Sequence, residues 1–363
     1  MRYPRGMSRR LDDLRHTIGS TIARAIFRLP APLLARVAGR MPEVPGQALD
    51  LKLGFLLRAT AALRLDTLEH LSPGEARARS GRSLRLLAGR RPADVSAQER
   101  TIPGPGGPLQ LRIYTPGQVA RPAPAILYLH GGGFVIGDLD THDAPCAYLA
   151  HESGCVVVSL AYRLAPEHRF PAAVDDALAG FRWLADHADA LGLEPARLAA
   201  GGDSAGGNLA AVIAQVATRE AWTVRPCFQL LIYPATDMRR EHASHREFAT
   251  GYMLNAALIT WFLGHYLRSD ADLTDPRASP LLAPDLQGLP PAYVAVAGFD
   301  PLRDEGRAYA GRMRAAGVPV QLDCHDALAH GFISLGDGIA AAAAALTTAA
   351  RALRAALVHA PGV

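Results

Sequence analysis

The apolar residues of the chain follow two different spacings, with a change near residue 100. Before that point they recur in two helical patterns: Ile18, Ile22, Ile26 and Leu29, and then Leu49, Leu53, Leu56, Leu57 and Leu63. This spacing predicts amphipathic helices separated by prolines. Asp50 is a candidate N-cap of the second helix, and Ser72 with Glu75 predicts a capping box at the start of a third. We expect residues 1–95 to form a helical cap segment.

After residue 100 the apolar residues form short continuous runs, which are typical of buried parallel strands. The predicted strands span residues 125–129, 156–158, 228–232, 293–297 and 318–322, and alternating polarity predicts one more through Leu109, Leu111 and Ile113. Residues 101–108, rich in glycine and proline, predict a turn. Helical segments lie near 142–152, 172–190 and 205–218, and a long C-terminal helix begins near 337. This alternation predicts an α/β fold with a mostly parallel central sheet flanked by helices.

Residues 237–290 break the alternation. A short connection between strand and helix suffices at this point, yet helix-like apolar positions recur at Leu254, Leu258, Trp261, Phe262 and Tyr266. We expect this insertion to complete the cap, within an α/β core that spans residues 96–363.

The composition of the chain bears on its core and on the compartment in which we expect it. The chain has 363 residues, of which 49% are hydrophobic and 20% charged, so a sizeable core is expected. Its four cysteines are widely spaced without a C-x-x-C pair, which argues against a disulfide framework or a zinc site. Arg24 and Arg28 interrupt the only candidate signal segment, and no apolar run approaches the roughly 18 residues of a membrane span. We therefore expect a cytoplasmic protein without stable membrane insertion.

The single lysine, Lys52, excludes several enzyme classes. It is followed by Leu53, so it does not fit a Walker A loop, and Leu49 stands where an S-x-x-K acylase has its serine. A pyridoxal enzyme needs a lysine in its core, and Lys52 lies outside the predicted core. No cofactor is expected.

Positive charge is concentrated at the N-terminus. Residues 1–40 contain nine arginines and two aspartates, a net charge of +7, while the remainder has 29 basic and 32 acidic residues, a net charge of −3. Such a segment either contacts an anionic lipid surface or a nucleic acid, or is simply the solvated face of a helix, and the solvated face is the favoured interpretation. We expect no nucleic-acid partner.

Residues 202–206, Gly-Asp-Ser-Ala-Gly, fit the G-x-S-x-G pattern of a nucleophile elbow. A predicted strand precedes them and a predicted helix follows. In such a sharp turn the glycines remove Cβ atoms that would collide with neighbouring chain. Ser204 is therefore the candidate acylating nucleophile.

A serine nucleophile needs a base and a group that orients the base. Asp300 follows the strand 293–297, and His330 follows the loop after the strand 318–322, in the order that this architecture uses. Asp304 and Glu305 are competitors that fit a helix N-terminus better, and His325 with Asp326 is a weaker competitor on the same loop as His330. A metal site at His242 and His245 lacks further ligands, so no metal is expected.

Acyl transfer also needs hydrogen-bond donors for an oxyanion. Residues 130–134, His-Gly-Gly-Gly-Phe, follow the strand 125–129, where an oxyanion loop is expected. Consecutive glycines let backbone N–H groups point into the site, and the Ala205 N–H at the elbow supplies another donor.

These motifs together resemble the hormone-sensitive lipase family of α/β-hydrolases. The resemblance covers about residues 100–335 and includes residues 162–167, Tyr-Arg-Leu-Ala-Pro-Glu, the Asp-Pro-Leu at 300–302 and the His-Gly-Phe at 330–332. It implies an α/β-hydrolase fold with a helical cap, a triad of Ser204, Asp300 and His330, and an oxyanion hole of Gly131, Gly132 and Ala205. The aspartate before the serine resembles the G-D-S-A-G branch of bacterial esterases.

The sequence therefore predicts a serine carboxylesterase that hydrolyses small to medium-chain apolar esters through an acyl-enzyme. An amide or lactone hydrolase with the same triad is an alternative. Another is a non-catalytic small-molecule receptor on this fold, although receptors of that kind are expected to lack a triad member. A monomer or a homodimer is expected.

Overall fold

The computed structural model describes residues 43–44, 47–62, 68–87 and 89–358. The helix that we predicted through Ile18 and Leu29 and the basic segment 1–40 lie outside the described residues.

Two short strands, β1 (Glu43–Val44) and β2 (Gln47–Ala48), pair with each other in antiparallel fashion. The centre of the fold is a separate sheet of eight described strands: β3 (Val95–Ile102), β4 (Leu109–Pro116), β5 (Ala123–Leu129), β6 (Val156–Ala161), β7 (Leu193–Asp203), β8 (Gln229–Ile232), β9 (Ala292–Phe299) and β10 (Val320–Ala329). Their order across the sheet is β10-β9-β8-β7-β5-β6-β4-β3. Strands β5 to β10 pair in parallel, whereas β4 is antiparallel to both β3 and β6. The predicted mostly parallel sheet is confirmed.

Helices cover both faces of the sheet because its strands are apolar on both sides. Along β5, Leu127 and Leu129 face one core cluster, while Ile126 and Tyr128 face the other. The helices are α1 (Leu51–Ala62), α2 (Pro73–Leu87), α3 (Asp143–Ser153), α4 (Ala172–Asp186), α5 (Ala205–Arg219), α6 (Ala243–Glu247), α7 (Ala256–Tyr266), α8 (Arg303–Ala315) and α9 (Ala340–Leu357). Helices α4, α5 and α8 pack on the first face, and α3 and α9 on the second. Short 3-10 helices lie at Leu68–His70, Asp189–Leu191, Asp270–Thr274, Pro280–Leu282 and Phe332–Leu335.

The predicted caps of the N-terminal helices are confirmed. Asp50 Oδ1 accepts the backbone N–H groups of Lys52 and Leu53 at 2.9 and 3.1 Å, at the start of α1. At α2 the Ser72 N–H donates to Glu75 Oε2 and the Glu75 N–H donates to Ser72 Oγ, which closes the capping box. Among the described helices, none has the length and apolar character needed to cross a bilayer.

Two predictions about strands were wrong. Strand β3, where the sequence pattern predicted no strand, runs through Ile102 into the stretch predicted as a turn and pairs with β4 as far as Leu109. Most of its positions are exposed, so it carries no apolar run. Strand β10 continues to Ala329 with an irregular register after His325, so His325 and Asp326 lie in a strand and not in a loop. The hydrophobic pattern fails at this position because β10 is the last strand of the sheet and is only partly buried.

Candidate active site

Ser204 lies at a sharp turn between β7 and α5, near the middle of the sheet. Its backbone has φ +54° and ψ −117°, a conformation that side-chain-bearing residues rarely adopt and that costs on the order of 1–3 kcal/mol. The surrounding chain holds it there: the Ser204 N–H donates to Ile232 O at 2.9 Å, and the Ala235 N–H donates to Ser204 O at 3.2 Å. The side chain thus sits at the carboxyl end of the strand, at the N-terminus of α5.

The two glycines of the motif are required by close approach to β5. A Cβ on Gly202 would lie 2.3 Å from Leu129 O, and a Cβ on Gly206 would lie 1.8 Å from the same oxygen. Because real Cβ atoms do not come so close to backbone, no other residue fits at either position without displacing β5.

The structure brings Ser204, His330 and Asp300 into one hydrogen-bonded line. His330 Nε2 lies 2.9 Å from Ser204 Oγ, and His330 Nδ1 lies 2.8 Å from Asp300 Oδ2. A carboxylate only accepts, so Nδ1 carries the proton and Nε2 is left to accept from the serine hydroxyl. Asp300 is fully buried, and its second oxygen accepts the Leu302 N–H at 2.8 Å. These hydrogen bonds hold the Asp300 carboxylate in place beside His330.

The competing residues have other contacts. His325 packs edge-on against Phe332. Asp304 Oδ2 accepts the Ser244 N–H, and Glu305 Oε1 accepts the N–H groups of Thr236 and Asp237, so both acids tie α8 to the start of the 237–290 segment.

His242 and His245, the residues considered for a metal site, do not belong to a larger group of metal-binding side chains among the described residues. His245 Nε2 lies 3.1 Å from Glu305 Oε2, and His242 Nε2 lies 3.3 Å from Asp237 Oδ2. Within the described residues no group of three or more metal-binding side chains is found.

One predicted oxyanion donor is already occupied. The Gly131 N–H donates to Asp203 Oδ1 at 3.0 Å, so this N–H has an acceptor within the protein, which differs from its predicted role as a free donor. In the described part of the chain, the N–H groups of Gly132, Gly133 and Ala205 donate to no other group. The free donors of the loop are therefore its second and third glycines, together with the elbow alanine.

Asp203 is a site residue that sequence reasoning missed. Its carboxylate accepts the Tyr128 hydroxyl at 2.9 Å as well as the Gly131 N–H, and His142 Nε2 lies 3.4 Å away. Burial by itself raises the pKa of Asp203, but His142 and the hydrogen bonds outweigh it and hold that pKa below its usual value. The signal available in the sequence was an aspartate next to Ser204, inside a run that otherwise contains only apolar residues and glycine.

The Tyr-Arg-Leu-Ala-Pro-Glu motif, residues 162–167, also contacts the glycine loop 130–134. The Tyr162 hydroxyl donates to His130 O at 2.7 Å, and the Ala165 N–H donates to Phe134 O at 2.8 Å. Arg163 Nε donates to both carboxylate oxygens of the fully buried Asp176, at 3.0 and 2.9 Å. The motif therefore fixes the backbone on both sides of the three glycines.

Comparison with known proteins identifies the family. Residues 126–334 match the profile of a family described as having the alpha/beta hydrolase fold. The chain is 41% identical to carboxylic ester hydrolase LipN of Mycobacterium tuberculosis, over 96% of this chain and 94% of that protein. The chain belongs to the hormone-sensitive lipase-like family of α/β-hydrolases. This hydrolase is also 40% identical to an ethyl acetate hydrolase of Pseudomonas putida, over 78% of this chain and 90% of that protein.

Solved structures agree on the fold. The hyperthermophilic esterase of Pyrobaculum calidifontis superposes on this hydrolase with a TM-score of 0.81, at 39% identity, over 85% of this chain and 98% of that one. The α/β-hydrolase fold that the sequence predicted is confirmed.

In this hydrolase Ser204 and His330 border a cavity of about 360 Å3. Gly132, Gly133 and Ala205 line the same cavity. Much of its remaining wall is apolar and comes from α1, α2 and α7, through Leu56, Leu57, Leu84, Leu258, Ile259 and Phe262. A ligand in the cavity thus meets the serine hydroxyl and the free N–H groups together, inside an apolar enclosure.

Proposed function

We propose that Ser204 attacks the carbonyl of small to medium-chain apolar carboxylic esters and forms an acyl-enzyme. The chain is a carboxylic ester hydrolase, as its family and its relatives establish. The observation that carries the proposed residue roles is the unbroken line from Asp300 through His330 to Ser204, with both distances under 3 Å. It supplies a nucleophile, a base and an orienting carboxylate at one point.

The first step forms the acyl-enzyme. As Ser204 Oγ bonds to the ester carbon, its proton passes to His330 Nε2, and the imidazolium that results is stabilised by the buried Asp300 carboxylate. The proton then passes from Nε2 to the alcohol oxygen as the bond between carbon and alcohol breaks. In the second step a water molecule attacks the acyl carbon as His330 Nε2 takes its proton. Nε2 then returns this proton to Ser204 Oγ as the bond between Oγ and the acyl carbon breaks, which releases the acid and the free serine.

Both steps place negative charge on the former carbonyl oxygen. We infer that the N–H groups of Gly132, Gly133 and Ala205 bind this oxyanion, because they border the cavity beside Ser204 and donate to no other described group. The N-terminus of α5 adds a favourable dipole at the same point. Loss of one such donor lowers the rate about 10²- to 10³-fold in enzymes of this kind.

The substrate class follows from the enclosure. Apolar side chains of α1, α2 and α7 surround a cavity of about 360 Å3, which favours apolar esters of limited length. We infer that residues 1–95 and 237–290 together act as the cap that sets this limit. A cytoplasmic location and a monomeric or homodimeric state stay predictions from sequence. Peripheral contact of residues 1–40 with an anionic lipid surface stays an alternative to a solvated helix face.

The test is a series of p-nitrophenyl esters of increasing acyl length, assayed on the parent and on Ser204→Ala. We expect kcat/KM to peak at short or medium chains and Ser204→Ala to lose about 10⁴-fold or more in kcat. Ser96→Ala is the matched control, because Ser96 is an exposed serine of β3. Activity of Ser204→Ala equal to the parent would refute the nucleophile. A steady rise in kcat/KM beyond about twelve acyl carbons would replace the enclosed pocket with an open groove.

A further inference from the structure

The oxyanion loop, residues 131–136, includes one residue, Phe134, in a backbone conformation that its own side chain does not favour. Three successive residues have positive φ: Gly132 at +122°, Gly133 at +58° and Phe134 at +63°. Glycine adopts this region freely, but a residue with a Cβ does so only where its surroundings hold it. Phe134 is almost fully buried, so the contacts around its ring determine the shape of the loop.

Helix α7 provides the main aromatic contacts of this loop. The Phe134 ring stacks on the Tyr266 ring, with centroids 3.8 Å apart and planes within 5° of parallel. One turn earlier the Phe262 ring lies against Gly133, where a Cβ would fall 2.3 Å from Phe262 Cγ. Residues four apart share one face of a helix, so Phe262 and Tyr266 together present a continuous aromatic surface to the loop.

The N-terminal helices hold the loop from another direction. Arg77 of α2 donates from Nε to Val135 O and from Nη2 to Ala165 O, both at 2.8 Å, and pairs with Glu167. The Ala165 N–H in turn donates to Phe134 O at 2.8 Å. Both segments of the inferred cap thus contact the residues that carry or follow the free N–H groups.

We propose that Phe262 and Tyr266 are positioning residues of the ester hydrolysis, which keep the Gly132 and Gly133 N–H groups aimed at the oxyanion. This inference rests on the proposed function. The cap then has a second role besides enclosing the substrate: its helix α7 sets the geometry of the oxyanion donors. Donors of this kind act only at the correct distance, and a misplacement of about 1 Å costs up to about 10²-fold in rate.

Tyr266→Leu tests the proposal, because it removes the stacked ring and keeps an apolar side chain. With p-nitrophenyl acetate we expect kcat to fall by about tenfold to a hundredfold, while KM changes by less than about threefold. The inhibition constant of a boronic acid, which binds as a tetrahedral adduct at the serine, is expected to rise with the loss in kcat. A ring that only shaped the pocket would change KM and leave kcat alone.

Two further variants separate the ring from other effects. Tyr266→Phe keeps the ring and removes a hydroxyl that has no hydrogen-bond partner among the described residues. Its kcat is therefore expected to equal that of the parent. Gly264→Ala is the matched control on the same helix, because Gly264 is exposed and an added Cβ meets nothing within 4 Å. Its kcat and KM are expected to equal those of the parent.

The outcomes are distinguishable from a failure of the proposed function. Circular dichroism and the thermal midpoint report folding, and if Tyr266→Leu does not fold, Phe262→Leu replaces it with kcat as the deciding quantity. Parent kcat in the folded leucine variant, with Ser204→Ala inactive, would overturn this inference alone. Parent activity in Ser204→Ala would overturn the proposed function instead. A fall in kcat in Tyr266→Leu, with the kcat of the parent in Tyr266→Phe, supports the positioning role.

Discussion

His130 lies in the core directly before the oxyanion loop, and its charge state couples stability to pH. Its side chain is 1% exposed and its ring stacks on Tyr162, with centroids 4.3 Å apart. Burial, and then the neighbouring His142, lower the pKa of His130 from 6.5 to about 4. The folded protein therefore resists protonation at a site that the unfolded chain protonates readily.

The sign and size of the effect follow from this difference. Between pH 6.5 and about 4 the unfolded chain binds a proton at His130 that the folded protein does not bind, because the folded pKa is the lower one. The contribution of His130 to stability is thus fully present above about pH 6.5 and is lost as the pH falls. At about pH 5, about 1.5 units below the unfolded pKa, the loss is about 2 kcal/mol, since each unit is worth about 1.4 kcal/mol.

The assay is urea unfolding of the parent and of His130→Gln, followed by circular dichroism between about pH 7.5 and pH 5. Glutamine does not titrate, so the free energy of unfolding of the variant is expected to fall less steeply with acid. The gap between the two proteins should narrow by about 2 kcal/mol across this range. Parallel curves, or a gap that widens in acid, would refute the reasoning from burial.

Two further predictions concern the turn at Ser204 and the pair of Asp300 with His330. In Gly206→Ala the added Cβ would lie 1.8 Å from Leu129 O, so we expect a loss of about 3 kcal/mol or more in the free energy of unfolding together with loss of activity. In Gly264→Ala, on the exposed side of α7, the free energy of unfolding should instead rise by about 0.5–1 kcal/mol. Equal thermal midpoints for the two variants would contradict the steric argument. In Asp300→Asn the amide oxygen is expected to keep the Leu302 N–H, which turns the amide NH2 towards His330 Nδ1 and moves the imidazole proton to Nε2, where it blocks acceptance from Ser204. We expect kcat to fall about 10⁴-fold with KM little changed, and a kcat within tenfold of the parent would show that Asp300 does not orient the base.

The sequence predicted the placement of the site residues best where the requirement is local. Gly202 and Gly206 flank Ser204 because any Cβ there meets β5, and that constraint is written in five consecutive residues. Buried strands such as β5 and β9 are apolar on both faces, so their runs were visible without a structure. Asp300 and His330 follow such strands in order, and the fold brings both to Ser204.

Only the tertiary structure decided contacts between distant segments. Whether a glycine N–H is free depends on the group that faces it. Asp203, at the end of β7, accepts the Gly131 N–H. The spacing of the glycine run does not distinguish Gly131 from Gly133. The stack of Phe134 on Tyr266 joins the loop after β5 to a helix of the 237–290 segment, whose apolar pattern indicates burial but not its partner. Sequence by itself determined the apolar strands of the sheet interior and the chemistry that their ends carry, because periodicity and Cβ sterics act along the chain. The tertiary structure decided which N–H donors remain unpaired and which helix packs against them, because packing joins segments that are distant in the sequence.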